Sequence, residues 1–233
     1  MSSVDNAPRR EDVWIVVPSY NEGRRLESTV RGLLANRYTV VVIDDGSDEP
    51  PGDSVRQLPV WMLTHPINCG QGAAIQTGID FAIAHGAEYV VTFDADGQHC
   101  VEEIVDLLAP LESGEADVAL GSRFLGATHN MPATRWWMLK LAIVFTWFFS
   151  RIRVTDTHNG FRALTRGAAE KIRITQDRMA HASEILDLIR ESKLRFKEVP
   201  VTITYFDDTL AKGQSSWNSL RIVGQLLLGR IVR

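Results

Sequence analysis

The chain has 233 residues, 45% of them apolar and 23% charged, an ordinary balance for a globular protein and enough for one large α/β core or at most two small ones. Its two cysteines, Cys69 and Cys100, show neither metal-ligand spacing nor a disulfide framework, which excludes a disulfide-stapled scaffold; with the opening stretch MSSVDNAPRREDVW, which has no apolar targeting segment, the expectation is a reducing cytoplasm. The net charge of −4 gives no basis for a nucleic-acid partner.

Taken in chain order, VWIVVP (13–18) is an apolar run of strand length. The segment 21–35 follows it, with Leu26, Val30, Leu33 and Leu34 at helical spacing. TVVVID (39–44) and VWMLTH (60–65) predict a second and a third strand, and 70–86 a helix rich in small residues that Gly86 stops. YVVTF (89–93) predicts a fourth strand, 101–112 a helix, and DVALGSRF (117–124) a fifth strand. Continuous apolar strands separated by helices imply a parallel sheet covered on both faces.

Beyond about residue 125 the rhythm changes. A long amphipathic segment precedes the polar turn in DTHNGFRALT (156–165), a helix is expected over 181–193, and FKEVPVTITY (196–205) alternates as a strand does. Pro200 marks that strand as an edge. No repeat or linker divides the chain, so residues 1–233 are read as one domain. Its parts are a first half over about 11–125, a second half over about 126–211 and a basic C-terminal helix over 212–233.

The positive charge is concentrated. Residues 129–155 carry Arg135, Lys140, Arg151 and Arg153 with no acid, and residues 212–233 carry Lys212, Arg221, Arg230 and Arg233, again with none. Both segments are apolar and contain tryptophan, yet neither has the uninterrupted apolar length of a membrane span. Basic, aromatic, helical segments are expected to lie on an anionic membrane surface; a core helix with snorkelling ends is the competing reading.

In open parallel sheets, ligands bind at the carboxyl ends of the strands. Those ends deliver Tyr20, Glu22, Asp44, Asp45, Asp94, Asp96, Gln98 and Arg123 to one edge. At strand spacing Asp94 and Asp96 point the same way, with Ala95 turned opposite and Gly97 bringing Gln98 round as a further oxygen donor. Two carboxylates and an amide oxygen suit Mg²⁺ or Mn²⁺, and such a site commonly neutralises a diphosphate leaving group. The alternative is a turn and a helix cap. Asp44 is the better candidate to bind a base or ribose, since Asp45-Gly46 is also an ordinary turn signal. Gly70-Gln71-Gly72 lacks the third glycine of a dinucleotide-binding turn, where Ile75 stands, so Asn68 and Gly72 are read as packing or nucleotide contacts. Asp156, His158 and Arg162 share a polar turn, and Arg162 could clamp a phosphate bidentately or merely pair with an acid.

In that order, VPSYNEG, VIDDGSDE, Asn68 to Ala74, FDADGQH, LGSRF, DTHNGFRAL and EVPVTITY resemble the family 2 glycosyltransferases. More narrowly, they resemble the dolichyl- and polyprenyl-phosphate sugar synthases. The resemblance implies a GT-A fold: one Rossmann-like α/β domain with a mixed, mainly parallel sheet flanked by helices, plus amphipathic interfacial helices. It implies that Pro18, Tyr20, Glu22 and Asp44 surround the nucleoside of a UDP- or GDP-sugar, with Asp45, Asn68, Gly72 and Ala95 among the nucleotide-sugar contacts. Asp94, Asp96 and Gln98 would meet the metal and the diphosphate, and Arg123 and Arg162 would hold phosphate or sugar.

The implied reaction is inverting and metal-dependent, with polyprenyl phosphate as acceptor. A lipid phosphate is already anionic, so positioning and leaving-group stabilisation carry the catalysis. A sugar hydroxyl of a growing glycan is the alternative acceptor; it needs a general base, for which Glu184 and Asp156 are the candidates. Peripheral attachment at the cytoplasmic face would come from the basic segments or from a small integral membrane partner, and a homo-oligomer is left open.

Overall fold

Alternation along β1 (Val13–Ser19) sets the layers of the molecule. Val13, Ile15 and Val17 face one side of the sheet, and Trp14 and Val16 face the other; all are buried. The structure is a computed structural model that describes residues 10–176 and 180–206. In chain order after β1 come α1 (Arg24–Ala35), β2 (Thr39–Asp44), α2 (Asp53–Arg56), β3 (Trp61–Thr64), α3 (Gln71–Ala84), β4 (Tyr89–Thr92) and α4 (Ile104–Glu112). The second half adds β5 (Val118–His129), α5 (Ala133–Ser150), β6 (Arg162–Thr165), α6 (Arg166–Ala169), α7 (His181–Glu191) and β7 (Phe196–Thr204).

These strands form one seven-stranded sheet in the order β3-β2-β1-β4-β6-β5-β7. β1 to β4 run parallel, and β5 and β7 run parallel to each other. β6 is antiparallel to both of its neighbours, β4 and β5. The sheet is therefore mixed and mainly parallel, as expected, and β7 with Pro200 occupies an edge. The reversal of β6 has a direct consequence. Its first residue, Arg162, pairs with Thr92 at the end of β4 and lies at the edge where the other strands finish.

Two helical layers close the core. On one face Leu26, Val30 and Leu33 of α1 and Ile104, Leu107 and Leu111 of α4 pack on Ile15, Val17 and Val42. On the other, Ala74, Ile75 and Ile79 of α3 and Ile185, Leu186 and Ile189 of α7 pack on Val16, Val41 and Ile43. Burying each leucine or isoleucine side chain contributes about 1.5–3 kcal/mol, and Leu33→Ala would cost about 2–5 kcal/mol. The small residues of α3 have a steric reason: a Cβ at Gly78 would overlap the side chains of Val16 and Ile43. Helix and sheet approach that closely only because it is absent.

α5 differs from the other helices. It buries Ile143 and Thr146, while Trp137, Leu141 and Val144 stay 64%, 68% and 60% exposed and Trp136 and Trp147 are also exposed. Among the described residues no helix is long and apolar enough to cross a membrane. The expected basic helix over 212–233 lies outside the described residues.

Candidate active site

A cleft of about 590 Å³ opens at the carboxyl edge of the sheet. Pro18, Tyr20 and Glu22 line it from the end of β1 and the loop that follows, Asp45 from just beyond β2 and Asn68 from the loop before α3. Asp94, Ala95, Asp96 and Gln98 line it from the loop after β4, Arg123 from β5 and Arg162 from β6. Asp44, Gly72, Asp156 and Glu184 are not among its lining residues.

The turn after β4 is held from behind. Ala95 points away from Asp94 and Asp96 into the core, its carbonyl accepting from Thr29 Oγ1 at 3.4 Å. Arg25 of α1 donates to the carbonyl of Asp96 at 2.9 Å, and Gln98 N donates to Asp96 Oδ1 at 3.0 Å around Gly97. Gly97 has φ +74°, a left-handed conformation that glycine adopts without strain. Asp94 accepts from Gln71 Nε2 at 2.9 Å and meets His99 Nε2 at 3.3 Å. A Cβ on Gly160 would collide with the Asp94 carboxylate, so the turn before β6 closes directly over it.

The two carboxylates titrate apart. Burial opposes ionisation of Asp94, but the hydrogen bond from His99 and the charges of His99, His181 and Arg162 outweigh it and hold the carboxyl below its usual range. Burial, then the neighbouring Asp94 and, more weakly, Glu22, push Asp96 up to about 6. A divalent cation would relieve that concentration of negative charge. With Gln98 beside the pair, the donor set fits a hard ion such as Mg²⁺ or Mn²⁺. Desolvation lowers Arg162 to about 10, against the pull of Asp94 and Asp156, and it stays cationic at neutral pH.

Arg123 is built into a buried brace. Its Nε donates to Asp156 at 2.6 Å, Nη1 to the Tyr205 hydroxyl at 2.6 Å and Nη2 to the His158 carbonyl at 2.8 Å. Asp156 also accepts from the backbone N–H of Arg123 and of His158, and Glu198 accepts from Thr155 and Asp156. Burial drives the His158 imidazole down to about 4, so it is neutral at physiological pH. Glu184 accepts from the backbone of Thr175 and Gln176 and ties down the chain ahead of α7.

Asp44 and Asp45 have separate partners. Asp44 Oδ1 accepts from Ser47 Oγ at 2.5 Å, closing its own turn. Asp45 accepts from Cys69 N at 2.9 Å and Gly70 N at 2.7 Å, tying β2 to the start of α3. Gly46 leaves the room for this: a Cβ there would come 2.7 Å from the backbone nitrogen of Asn68.

Several residues that line the cleft or hold its walls escape sequence reasoning. Gln71, His181, Asn159 and Arg135 line the cleft, the last with its guanidinium 4.9 Å from the Tyr205 ring centroid. Tyr205 and Glu198 complete the brace from β7 and the residue after it. Gln71 lay within the glycine-rich turn and Arg135 within the basic stretch, each a signal of composition but not of position.

The sheet order and strand-end cleft define a GT-A fold. Among solved structures, glucosyl-3-phosphoglycerate synthase of Mycobacterium tuberculosis, bound to Mn²⁺, UDP and phosphoglyceric acid, superposes with a TM-score of 0.68. It is 16% identical and the likeness covers 92% of this chain and 77% of that one. The chain belongs to the family described as Glycosyl transferase family 2, whose profile matches residues 14–173, and it is a glycosyltransferase. It is 30% identical to an uncharacterized protein of Methanocaldococcus jannaschii, over 97% of this chain and 95% of that one. It is 28% identical to the UDP-N-acetylglucosamine–dolichyl-phosphate N-acetylglucosaminyltransferase of Methanococcus voltae, over 93% and 95% of the two chains. It is 29% identical to the polyprenol monophosphomannose synthase of Mycolicibacterium smegmatis, over 89% and 82%.

Proposed function

We propose that this protein transfers a sugar, with inversion, from a nucleoside-diphosphate sugar to a polyprenyl phosphate at the cytoplasmic face of a membrane. One observation carries the choice of acceptor. Asp156 and Glu184, the two acids that the sequence offers as general base, are spent on Arg123 and on the chain at Thr175, outside the lining of the cleft. The cleft sets the cations Arg135 and Arg162 beside its acids Glu22, Asp45, Asp94 and Asp96, while Arg123 is paired with Asp156. Such a cleft suits an acceptor that arrives as an anion and needs no proton removed.

In this reading residues 1–233 act as one domain. Asp94, Asp96 and Gln98 hold Mg²⁺ or Mn²⁺, which when bound neutralises the departing nucleoside diphosphate. Pro18, Tyr20, Glu22 and Asn68 embrace the nucleoside end of the donor. Arg162, buried and cationic beside Asp94, stabilises phosphate charge, and Arg135 at the start of α5 receives the acceptor phosphate. The exposed Trp137, Leu141 and Val144 of α5, with Arg151 and Arg153 exposed just beyond it, seat the cleft at an anionic lipid surface. The names of the Methanococcus voltae and Mycolicibacterium smegmatis relatives support a polyprenol-type acceptor.

The test offers the full chain UDP-glucose, UDP-N-acetylglucosamine and GDP-mannose in turn, with Mn²⁺ and anionic vesicles holding either undecaprenyl phosphate or undecaprenol. Transfer from one donor to the phosphate alone, with an inverted anomeric carbon by NMR, is the expected result. Equal transfer to undecaprenol would overturn the acceptor assignment.

A further inference from the structure

We propose that Asp45, His65 and Cys69 form a second cation site, separate from Asp94 and Asp96 and selective for a soft divalent ion of the zinc class. The carboxylate, imidazole and thiol ligand atoms of these residues all lie within 4.8 Å of one another. The sheet register brings them together. Asp44 pairs with Thr64 in the parallel β2–β3 ladder, so the next residue of each strand, Asp45 and His65, emerges side by side at the carboxyl edge. His65 Nδ1 sits 2.7 Å from Asp45 Oδ1. Four residues beyond His65, the chain returns Cys69 to the same point through the bond from its N–H to Asp45.

The surroundings are those that orient metal ligands. His65 Nε2 lies 3.0 Å from the Thr77 hydroxyl, which fixes the ring and leaves Nδ1 turned to the cluster. The Asp45 carboxylate is steadied by the amides of Cys69 and Gly70, as ligating carboxylates are. Zinc–ligand bonds of about 2.0–2.3 Å place ligand atoms roughly 3–4 Å apart, close to the separations of up to 4.8 Å found here.

Binding balances in protons and charge. The cation takes the place of the proton between His65 Nδ1 and Asp45 Oδ1, the neutral ring then carries its proton on Nε2 beside the Thr77 hydroxyl, and the Cys69 thiol releases its own proton to become a thiolate. One proton goes to solvent for each ion bound, and carboxylate plus thiolate neutralise the dication. A thiolate and an imidazole favour Zn²⁺ over Mg²⁺ or Mn²⁺, which the all-oxygen pair at β4 prefers. Three protein ligands leave a fourth position for water.

Co²⁺ added to the full chain in excess Mg²⁺ provides the test, since a cobalt–thiolate bond gives a near-ultraviolet charge-transfer band. The band should appear in the wild type and in Cys100→Ser, vanish in Cys69→Ser, and be displaced by one equivalent of Zn²⁺. Competition titration should show Zn²⁺ affinity at least tenfold weaker in Cys69→Ser and in His65→Asn, with unchanged thermal unfolding of the ion-free proteins confirming that both variants fold. No band in the wild type, or a band that survives Cys69→Ser, would overturn the proposal. So would unchanged Zn²⁺ affinity in His65→Asn.

Discussion

Two strand tips in this molecule carry nearly the same residues and differ in what their carboxylates can still do. At the end of β2, Asp44 is held by Ser47 and Asp45 by two backbone amides and His65, so both carboxylates are fixed in place from within the fold. At the end of β4, Asp96 has one backbone amide, half-buried surroundings and Asp94 for a neighbour, and it resists ionisation until about pH 6. The contrast teaches that an acidic strand end suits a hard, all-oxygen cation site when the chain folds few donors back onto it. The residue types alone do not decide.

The largest effect that would sharpen this contrast is on catalysis. Asp96→Asn should lower glycosyl transfer by about 10²–10³-fold, the scale on which one transition-state electrostatic partner acts. Its thermal unfolding without cation should be unchanged or slightly raised, because a strained charge is removed. A matching loss of stability in calorimetry would instead make Asp96 structural. At the β2 tip the expectation reverses. Asp45→Ala strands the N–H groups of Cys69 and Gly70, at about 1–3 kcal/mol for each that water does not reach, read as a lower urea midpoint.

The sequence pointed to the β4 tip for the cation, but what holds the β2 carboxylates was not legible in it, because the deciding donors are remote. Asp45 is satisfied by residues more than twenty positions ahead, and Arg123 is committed to Tyr205, 82 residues away. The strands were legible because β1, β2 and β4 are continuous apolar runs, and α1 because Leu26, Val30, Leu33 and Leu34 fall at helical spacing. β6 was not. Its four residues sit within a stretch that reads as a polar turn, and only pairing with β4 and β5 makes them a strand. Its reversal is what carries Arg162 to the cleft. Cys69 read as a cysteine without metal spacing because its companions, His65 and Asp45, are joined by sheet register and not by sequence spacing.

A smaller effect tests the titration at β4. Asp96 is raised by folding, so its contribution to the cation-free protein is greatest at low pH and is lost as pH rises through about 6. Cation binding needs the carboxylate. Below pH 6, Mn²⁺ affinity should therefore fall by about tenfold per pH unit, from release of one proton, in a calorimetric titration series. A flat profile from pH 4.5 to 6 would place the bound ion elsewhere. Smallest is Ser47→Ala, which removes one hydrogen bond from Asp44 and should cost about 0.5–1.5 kcal/mol of stability without changing transfer rates.

The most direct measurement is calorimetric binding of UDP and of GDP, each with and without Mn²⁺, to the wild type, Asp96→Asn and Ser47→Ala. One diphosphate should bind only with the cation, lose that binding in Asp96→Asn and keep it in Ser47→Ala. Binding of the diphosphate that ignores Mn²⁺ and survives Asp96→Asn would contradict the assignment of the β4 tip as the donor site.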